Sequence, residues 1–170
     1  EAAIVPPPQM CFDETLVLHL PPLTFEIRRL GGHTPACSVV HVPEEGVLFS
    51  GDVVMNGPCP GMREADAGRW IEALEWIEGL PVETVVPGHG EICGMDGVGR
   101  LKAYLTEIRG AMAGLVRSGR SREEAAAEES MEKFFWLEEP AGEYWLAQRK
   151  DTFRQGLERL YDEVKREQAA

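Results

Sequence analysis

Short apolar runs separated by turn residues occupy the first third of the chain. The runs at 15–20, 23–30, 38–42 and 46–50 predict four short β-strands. Prolines interrupt the chain between the first two runs, and the tripeptide Pro-Glu-Glu separates the last two. Proline and charged residues of this kind favour turns, so the last two strands are expected to form a hairpin.

The apolar period changes from that of a strand to that of a helix at residue 66. Asp66 is a suitable N-cap and Gly79 a suitable stop, which predicts a helix over 66–81. A further apolar run at 83–90 predicts a fifth strand. The strand–helix–strand order then implies a crossover between two parallel strands. The helix should pack on the sheet through one apolar face, formed by Trp70, Leu74 and Ile77.

The second half of the chain has the pattern of helices alone. Ser121 precedes Glu124 by three residues, which is the spacing of a capping box at a helix N-terminus. We therefore expect two parts, a strand-rich portion at 1–95 and a helical extension at 96–170 that packs on it. Three helices are predicted in the extension, at 97–117, 121–136 and 143–167.

Composition and charge restrict the classes of function. The 170 residues are 44% hydrophobic and 27% charged, as in a globular protein, and carry a net charge of −12. This acidity disfavours binding to nucleic acid or to an anionic membrane, and no apolar run reaches membrane-spanning length. Four separated cysteines without a secretion signal predict reduced thiols and a cytoplasmic location.

Three ionisable residues share one local pattern. His33, Asp52 and His89 each follow an apolar strand and a glycine, so we expect them at strand ends that face one cleft. Two imidazoles and one carboxylate suit zinc, and also iron or manganese, and a carboxylate can bridge two ions. The alternative is structural: Asp52 caps a turn, and both histidines form hydrogen bonds with the backbone.

The segments "GGHTPACSVVHVPEEGVLFSGDVV" and "VETVVPGHG" resemble the later motifs of the metallo-β-lactamase superfamily. The resemblance implies an α/β fold, the second half of an αββα metallo-β-lactamase sandwich, here with a helical C-terminal tail. It also implies that His33 completes the shell of a first metal, that Asp52 bridges two metals and that His89 binds the second. Two zinc ions are the expected cofactors, and iron or manganese is possible.

The function implied by this resemblance is metal-dependent hydrolysis of a small ester, thioester, lactone or amide. One subclass of true β-lactamases has cysteine where Asp52 stands, so the aspartate favours a site like that of glyoxalase II. Two alternatives remain: an iron-dependent sulfur oxygenase, and a non-catalytic half-domain that completes the fold of a partner. Catalytic residues apart from the metal ligands are not assigned.

The early His-x-His-x-Asp-His motif of the superfamily does not occur in this sequence. The chain would then supply only the later metal ligands, and we expect it to be the C-terminal part of a longer protein. Its expected partner is the N-terminal half of the fold, without which the chain should be inactive. An uncovered sheet face and edge would also permit a homo-oligomer.

Overall fold

A computed structural model of the chain describes residues 7–57, 59–137 and 143–169. Its strands are β1 Thr15–Leu20, β2 Leu23–Arg29, β3 Ser38–Val42, β4 Val47–Asn56 and β5 Thr84–Gly90. Its α-helices are α1 Ala67–Glu78, α2 Met95–Arg117, α3 Arg122–Ala126 and α4 Glu143–Gln168. Short 3₁₀ turns lie at Pro43–Glu45 and Glu129–Phe134.

The five strands form one mixed sheet in the order β1-β2-β3-β4-β5. The first three pairs are antiparallel, whereas β4 and β5 are parallel and are connected through α1. The crossover predicted from the strand–helix–strand order is thereby confirmed. Because β4 and β5 are parallel neighbours, their carboxyl ends lie at the same edge of the sheet.

Helices cover one face of the sheet. α1 and α2 pack on β4 and on each other, and α4 packs on α2. The predicted apolar face of α1 is buried: Trp70, Leu74 and Ile77 are all 0% exposed. The core therefore lies between the sheet and the helices, as expected for an α/β protein. No helix in the described ranges is both long and apolar enough to cross a membrane.

The opposite face of the sheet carries a second apolar row. Side chains alternate along a strand, so Phe49 points away from its buried neighbour Leu48 and is 47% exposed. The strand register places four further apolar residues in the same row as Phe49. We call this the uncovered row, because its residues are half-buried or exposed in the part of the chain that the structure describes; it consists of Leu16, Ile27, Val40, Phe49 and Val86.

Two predictions of local structure need correction. β4 runs to Asn56 instead of ending at residue 50, so Asp52 lies within a strand rather than after it; His89 lies within β5, which ends at Gly90 as predicted. The ladder between these strands shifts register on either side of Gly51, which lets pairing continue past the glycine.

The predicted helix 121–136 is also interrupted. It divides into α3 and a 3₁₀ turn, because Glu128 adopts an extended backbone (φ −68°, ψ 127°) between them. Met131 and Phe134 are buried, and Phe134 meets the Tyr104 ring of α2 edge-on at 5.9 Å between centroids. This packing outweighs the helix propensity of the alanine- and glutamate-rich segment. The capping box of Ser121 and Glu124 is present as predicted.

The N-terminus of α1 is capped from a distant part of the chain. Asp66 accepts a hydrogen bond from the Arg69 N–H, as the N-cap prediction requires. The carboxylate of Glu163 on α4 accepts two more, from the Ala67 N–H at 2.8 Å and the Gly68 N–H at 2.9 Å. Helix α4 thus supplies a buried negative charge to the positive end of α1.

Glu163→Ala is expected to lower the free energy of unfolding by about 3 kcal/mol, since hydrogen bonds to a charged group contribute about 1.5–3 kcal/mol each. The Glu163 side chain is 2% exposed, and Arg109 lies 3.5 Å from its Oε1 atom. Chemical denaturation measures the change. The matched control is Glu167→Ala, which removes the 45% exposed partner of the same arginine and should cost less than about 1 kcal/mol. Equal losses in both variants would contradict the capping role.

Candidate metal centre

His33 lies on a tight turn that follows β2. Gly31 and Gly32 have φ angles of +78° and +98°, in the left-handed region that glycine tolerates best. The Asp66 N–H donates to the Gly32 carbonyl at 2.9 Å, which ties the turn to the start of α1. The His33 side chain is 20% exposed, and its ring contacts the Trp70 indole at 5.2 Å between centroids.

Asp52 is placed by the irregular part of β4. The backbone turns at Gly51, which has a φ of +48°, and the Ser50 hydroxyl donates to the Val86 carbonyl of β5 at 3.2 Å. Gly88 leaves the space that the carboxylate needs, since a Cβ atom there would lie 2.0 Å from Asp52 Oδ1. The Asp52 side chain is 38% exposed.

His89 lies near the end of β5, opposite Met55 of β4. The next residue, Gly90, has a φ of +87°, and a Cβ atom there would lie 1.7 Å from the Asn56 carbonyl oxygen. The two strands therefore approach too closely for any other residue at position 90. The His89 side chain is 64% exposed, so this side of the site is open.

The three predicted ligands lie side by side, with the carboxylate in the middle. His33 Nε2 is 3.9 Å from Asp52 Oδ2, and His89 Nε2 is 3.5 Å from Asp52 Oδ1. Each histidine therefore faces a different oxygen. Each histidine–aspartate distance suits a pair of ligands on one zinc ion, because a nitrogen and an oxygen in one tetrahedral zinc shell lie about 3.4 Å apart. A carboxylate with one histidine on each side also has the chemistry of a bridge between two ions.

These residues do not close a metal shell by themselves. In the described ranges, no group of three or more His, Cys, Asp or Glu side chains is arranged to hold one metal ion. The two histidines approach different oxygens of Asp52, at 3.9 and 3.5 Å, so each proposed ion position has one imidazole and one carboxylate oxygen. The donor set fits zinc in type and spacing. It supplies two donors to each proposed ion, one histidine nitrogen and one Asp52 oxygen, whereas a structural zinc site has four donors.

The cysteines do not extend this donor set. The backbone N–H and carbonyl of Cys93 both bond to Val85, and its Sγ atom fills the space beside Gly97. Burial raises the pKa of the Cys93 and Cys59 thiols, which disfavours the thiolate form that binds metal. Cys11, Cys37, Cys59 and Cys93 form no disulfide with one another in the structure.

A small open pocket of about 210 Å³ adjoins His33. It lies between the loop that precedes α1 and helix α4, which contributes Thr152. Arg63 and Glu64 give it one charge of each sign, and they lie 3.7 Å apart. The pocket has the volume for part of a small molecule and is formed by His33, Thr34, Gly61, Arg63, Glu64 and Thr152.

The family model of the Metallo-beta-lactamase superfamily matches residues 1–89, more than half of the chain. The chain belongs to this superfamily. The match includes the Gly-His-Thr turn, Asp52 and His89. The family resemblance carried by these segments is thereby confirmed.

Two curated proteins are similar to part of the chain. A hydroxyacylglutathione hydrolase of Erythrobacter litoralis (strain HTCC2594) is 33% identical over 63 residues, which are 37% of this chain and 25% of that protein. A hydroxyacylglutathione hydrolase of Rhodobacter capsulatus is 34% identical over 74 residues, 43% of this chain and 29% of that protein. The chain thus covers between a quarter and a third of the length of these relatives.

Solved structures support the same fold. A metallo-beta-lactamase family protein from Thermus thermophilus superposes with a TM-score of 0.64 at 16% identity, covering 97% of this chain and 51% of that one. A metallo-beta-lactamase from Pontibacter korlensis gives a TM-score of 0.54 at 24% identity, covering 58% of this chain and 49% of that one. The chain therefore has the metallo-beta-lactamase fold, with the mixed sheet and C-terminal helices described above.

One residue beside the site was not assigned to it from the sequence. Trp70 was expected only to pack on the sheet, yet it contacts His33 and bonds to the residue after Asp52. A usable signal was present: a buried tryptophan needs an acceptor for its indole N–H, and this one stands in the first turn of the helix that follows the pocket loop.

Proposed function

We propose that the intact protein carrying this chain is a metal-dependent hydrolase with a pair of zinc ions. The observation that carries the proposal is the position of Asp52, whose two oxygens face His33 and His89 separately. A carboxylate held between two imidazoles by glycine-containing strands is suited to bridging two cations. Membership of the metallo-beta-lactamase superfamily supports the same assignment.

Each of the three residues then has a distinct role. His33 Nε2 and His89 Nε2 would each bind one ion, and the negative charge of Asp52 would offset part of their charge. A zinc pair lowers the pKa of a water molecule and polarises a carbonyl oxygen, which is the chemistry that hydrolysis needs. The pocket beside His33 would bind the substrate, with Arg63 and Thr152 at its wall.

The substrate proposed is a small ester, thioester, lactone or amide. The two curated relatives are named for hydrolysis of hydroxyacylglutathione, and their partial match makes a thioester the first compound to test. The site contains aspartate at position 52 rather than cysteine, which favours a site of this kind over β-lactam hydrolysis.

We further propose that an N-terminal half of the fold covers the uncovered row of the sheet. The row is continuous across all five strands and apolar, and Phe49 within it is 47% exposed. Contiguous apolar surface of this kind is characteristic of interfaces. The covering half would supply the remaining metal donors, and residues 96–170 would form the helical extension that packs on residues 1–95.

The chain of 170 residues, expressed alone, is expected to hold less than one zinc ion per molecule. Each proposed ion would have only two donors from this chain, one histidine nitrogen and one Asp52 oxygen, and two donors do not close a shell. Elemental analysis after dialysis measures this, with the intact protein expected to hold two ions. Two tightly held zinc ions on the isolated chain would contradict the need for further donors.

A screen of ester, thioester and lactone substrates tests the activity itself. The zinc-loaded intact protein is expected to turn over at least one of these classes, and removal of zinc by a chelator should abolish turnover. A protein that instead binds iron and consumes oxygen with a thiol substrate would be the sulfur oxygenase. A protein that binds no metal in the intact form would be a half-domain without catalysis.

A further inference from the structure

Trp70 links two of the proposed metal ligands through one side chain. It lies in the first turn of α1 and is 0% exposed. Its indole ring contacts the His33 ring at 5.2 Å between centroids, with the planes tilted by 56°. Its indole N–H donates to the carbonyl of Val53 at 2.8 Å, and Val53 directly follows Asp52.

The His33 ring lacks the support that a metal-binding histidine normally has. Such a histidine usually donates its second ring N–H to a carboxylate or a carbonyl, which sets the orientation of the ring. In the part of the chain that the structure describes, the buried Nδ1 atom of His33 has no hydrogen-bond partner. The orientation of this ring must therefore come from packing, and the indole of Trp70 is the aromatic surface against it.

The turn that contains His33 packs against Trp70 as well. A Cβ atom at Gly32 would lie 2.8 Å from the Trp70 Cα atom and 2.9 Å from its Cβ and Cγ atoms. The hydrogen bond from the Asp66 N–H to the Gly32 carbonyl holds the turn at this distance. Backbone and side chain of Trp70 thus both determine where His33 lies relative to the helix.

The second contact of Trp70 supports β4 where its pairing with β5 is irregular. The register of that ladder shifts between Gly51 and Met55, the stretch that contains Asp52. In this stretch the indole N–H bonds to the Val53 carbonyl from the helix side of the sheet. The bond fixes the backbone directly after Asp52, which regular strand pairing does not fix.

We propose that Trp70 is a positioning residue that holds His33 and Asp52 at the separation needed to bind metal. The proposal rests on the proposed function, since it gives a role to a residue behind the same site. Trp70 touches neither metal nor substrate in this assignment. It acts through the ring of His33 on one side and through the Val53 carbonyl on the other.

The test compares two variants of the intact protein with a matched control. Trp70→Phe removes the indole N–H and keeps an aromatic ring, whereas Trp70→Leu removes both contacts. Trp76→Phe is the control, because Trp76 lies on the same helix but stacks on the Arg28 guanidinium at 4.8 Å. Zinc affinity is measured by competition with a chelator, and turnover at saturating zinc is separated into kcat and KM.

Trp70→Phe is expected to weaken zinc binding about 10-fold and Trp70→Leu about 100-fold, the range typical of residues that support metal ligands. At saturating zinc, kcat should fall by a larger factor than KM rises, since Trp70 itself does not line the substrate pocket and only His33 of its wall is displaced. Trp76→Phe should lower thermal stability without changing zinc affinity. Zinc affinities equal to wild type in both Trp70 variants would overturn the proposal.

A measurement on the wild-type protein keeps the proposal testable if a Trp70 variant does not fold. Nuclear Overhauser contacts between the Trp70 indole and the His33 ring protons should be present before zinc is added, because the contact does not depend on metal. Their absence would overturn the proposal. His33→Ala distinguishes failure of the proposed metal site from failure of the role proposed for Trp70. If His33→Ala leaves zinc binding unchanged, the proposed metal site itself is wrong, whatever the Trp70 variants do.

Discussion

Asp52→Ala is expected to abolish hydrolysis by the intact protein and to leave its fold largely unchanged. The carboxylate is the group between His33 and His89, at 3.9 and 3.5 Å from their Nε2 atoms. Its loss would remove a donor from each side and leave the charge of two cations without compensation. Loss of a residue that only supports ligands costs about 10–100-fold, so the loss of a shared ligand should cost more than about 100-fold.

The effect on stability should be small, because the Asp52 side chain is 38% exposed and its removal creates no closed cavity. Turnover of the best substrate and the melting temperature are measured together. Glu91→Ala is the matched control, since it removes an exposed carboxylate two residues beyond His89 and should retain activity. If turnover in Asp52→Ala and in His89→Ala equals that of wild type, hydrolysis does not take place at the proposed metal site.

Gly88→Ala is expected to disrupt both the proposed metal site and the packing of β4 on β5. The added Cβ atom would lie 2.0 Å from Asp52 Oδ1 and 2.7 Å from both the Asp52 backbone nitrogen and the Gly51 carbonyl carbon. Two of these three atoms belong to the backbone, so the strands themselves must separate. We expect loss of tight zinc binding and a decrease of about 1–3 kcal/mol in the free energy of unfolding, as in other overpacked sites.

Denaturation and zinc competition on the same preparation test this prediction. The control is Gly110→Ala, at an exposed position inside α2 where an added Cβ atom meets nothing within 4 Å. That substitution should stabilise the protein by about 0.5–1 kcal/mol, because glycine is unfavourable within a helix. A Gly88→Ala protein as stable as wild type and equally able to bind zinc would show that the strands adapt.

Much of the fold followed from local patterns. The N-cap at Asp66 and the capping box of Ser121 and Glu124 depend on residues within one turn of each other, so the sequence alone predicts them. The break within 121–136 could not be predicted in this way. It depends on the burial of Met131 and Phe134 and on the contact of Phe134 with Tyr104 of α2, a segment distant in the chain.

The candidate site was also predicted only in part from the sequence. The pattern of strand, glycine and ionisable residue selected His33, Asp52 and His89, because ligand loops need glycine for close approach. Their distances and the role proposed for Trp70 depend on contacts across the sheet. The continuation of β4 past Gly51 was also missed, since a register shift depends on the partner strand and not on the strand itself.

The sequence by itself determined the order of the elements, the superfamily and the three residues proposed to bind metal. These follow from local periodicity, capping and turn chemistry, and from motifs that are contiguous in the chain. Only the tertiary structure decided which oxygen of Asp52 faces which histidine, and which helix holds each turn. Glu163 caps α1 across about 95 residues, and Trp70 reaches from α1 to both His33 and Val53. Such contacts depend on how the elements pack together, because burial and hydrogen bonding join residues that the chain order separates.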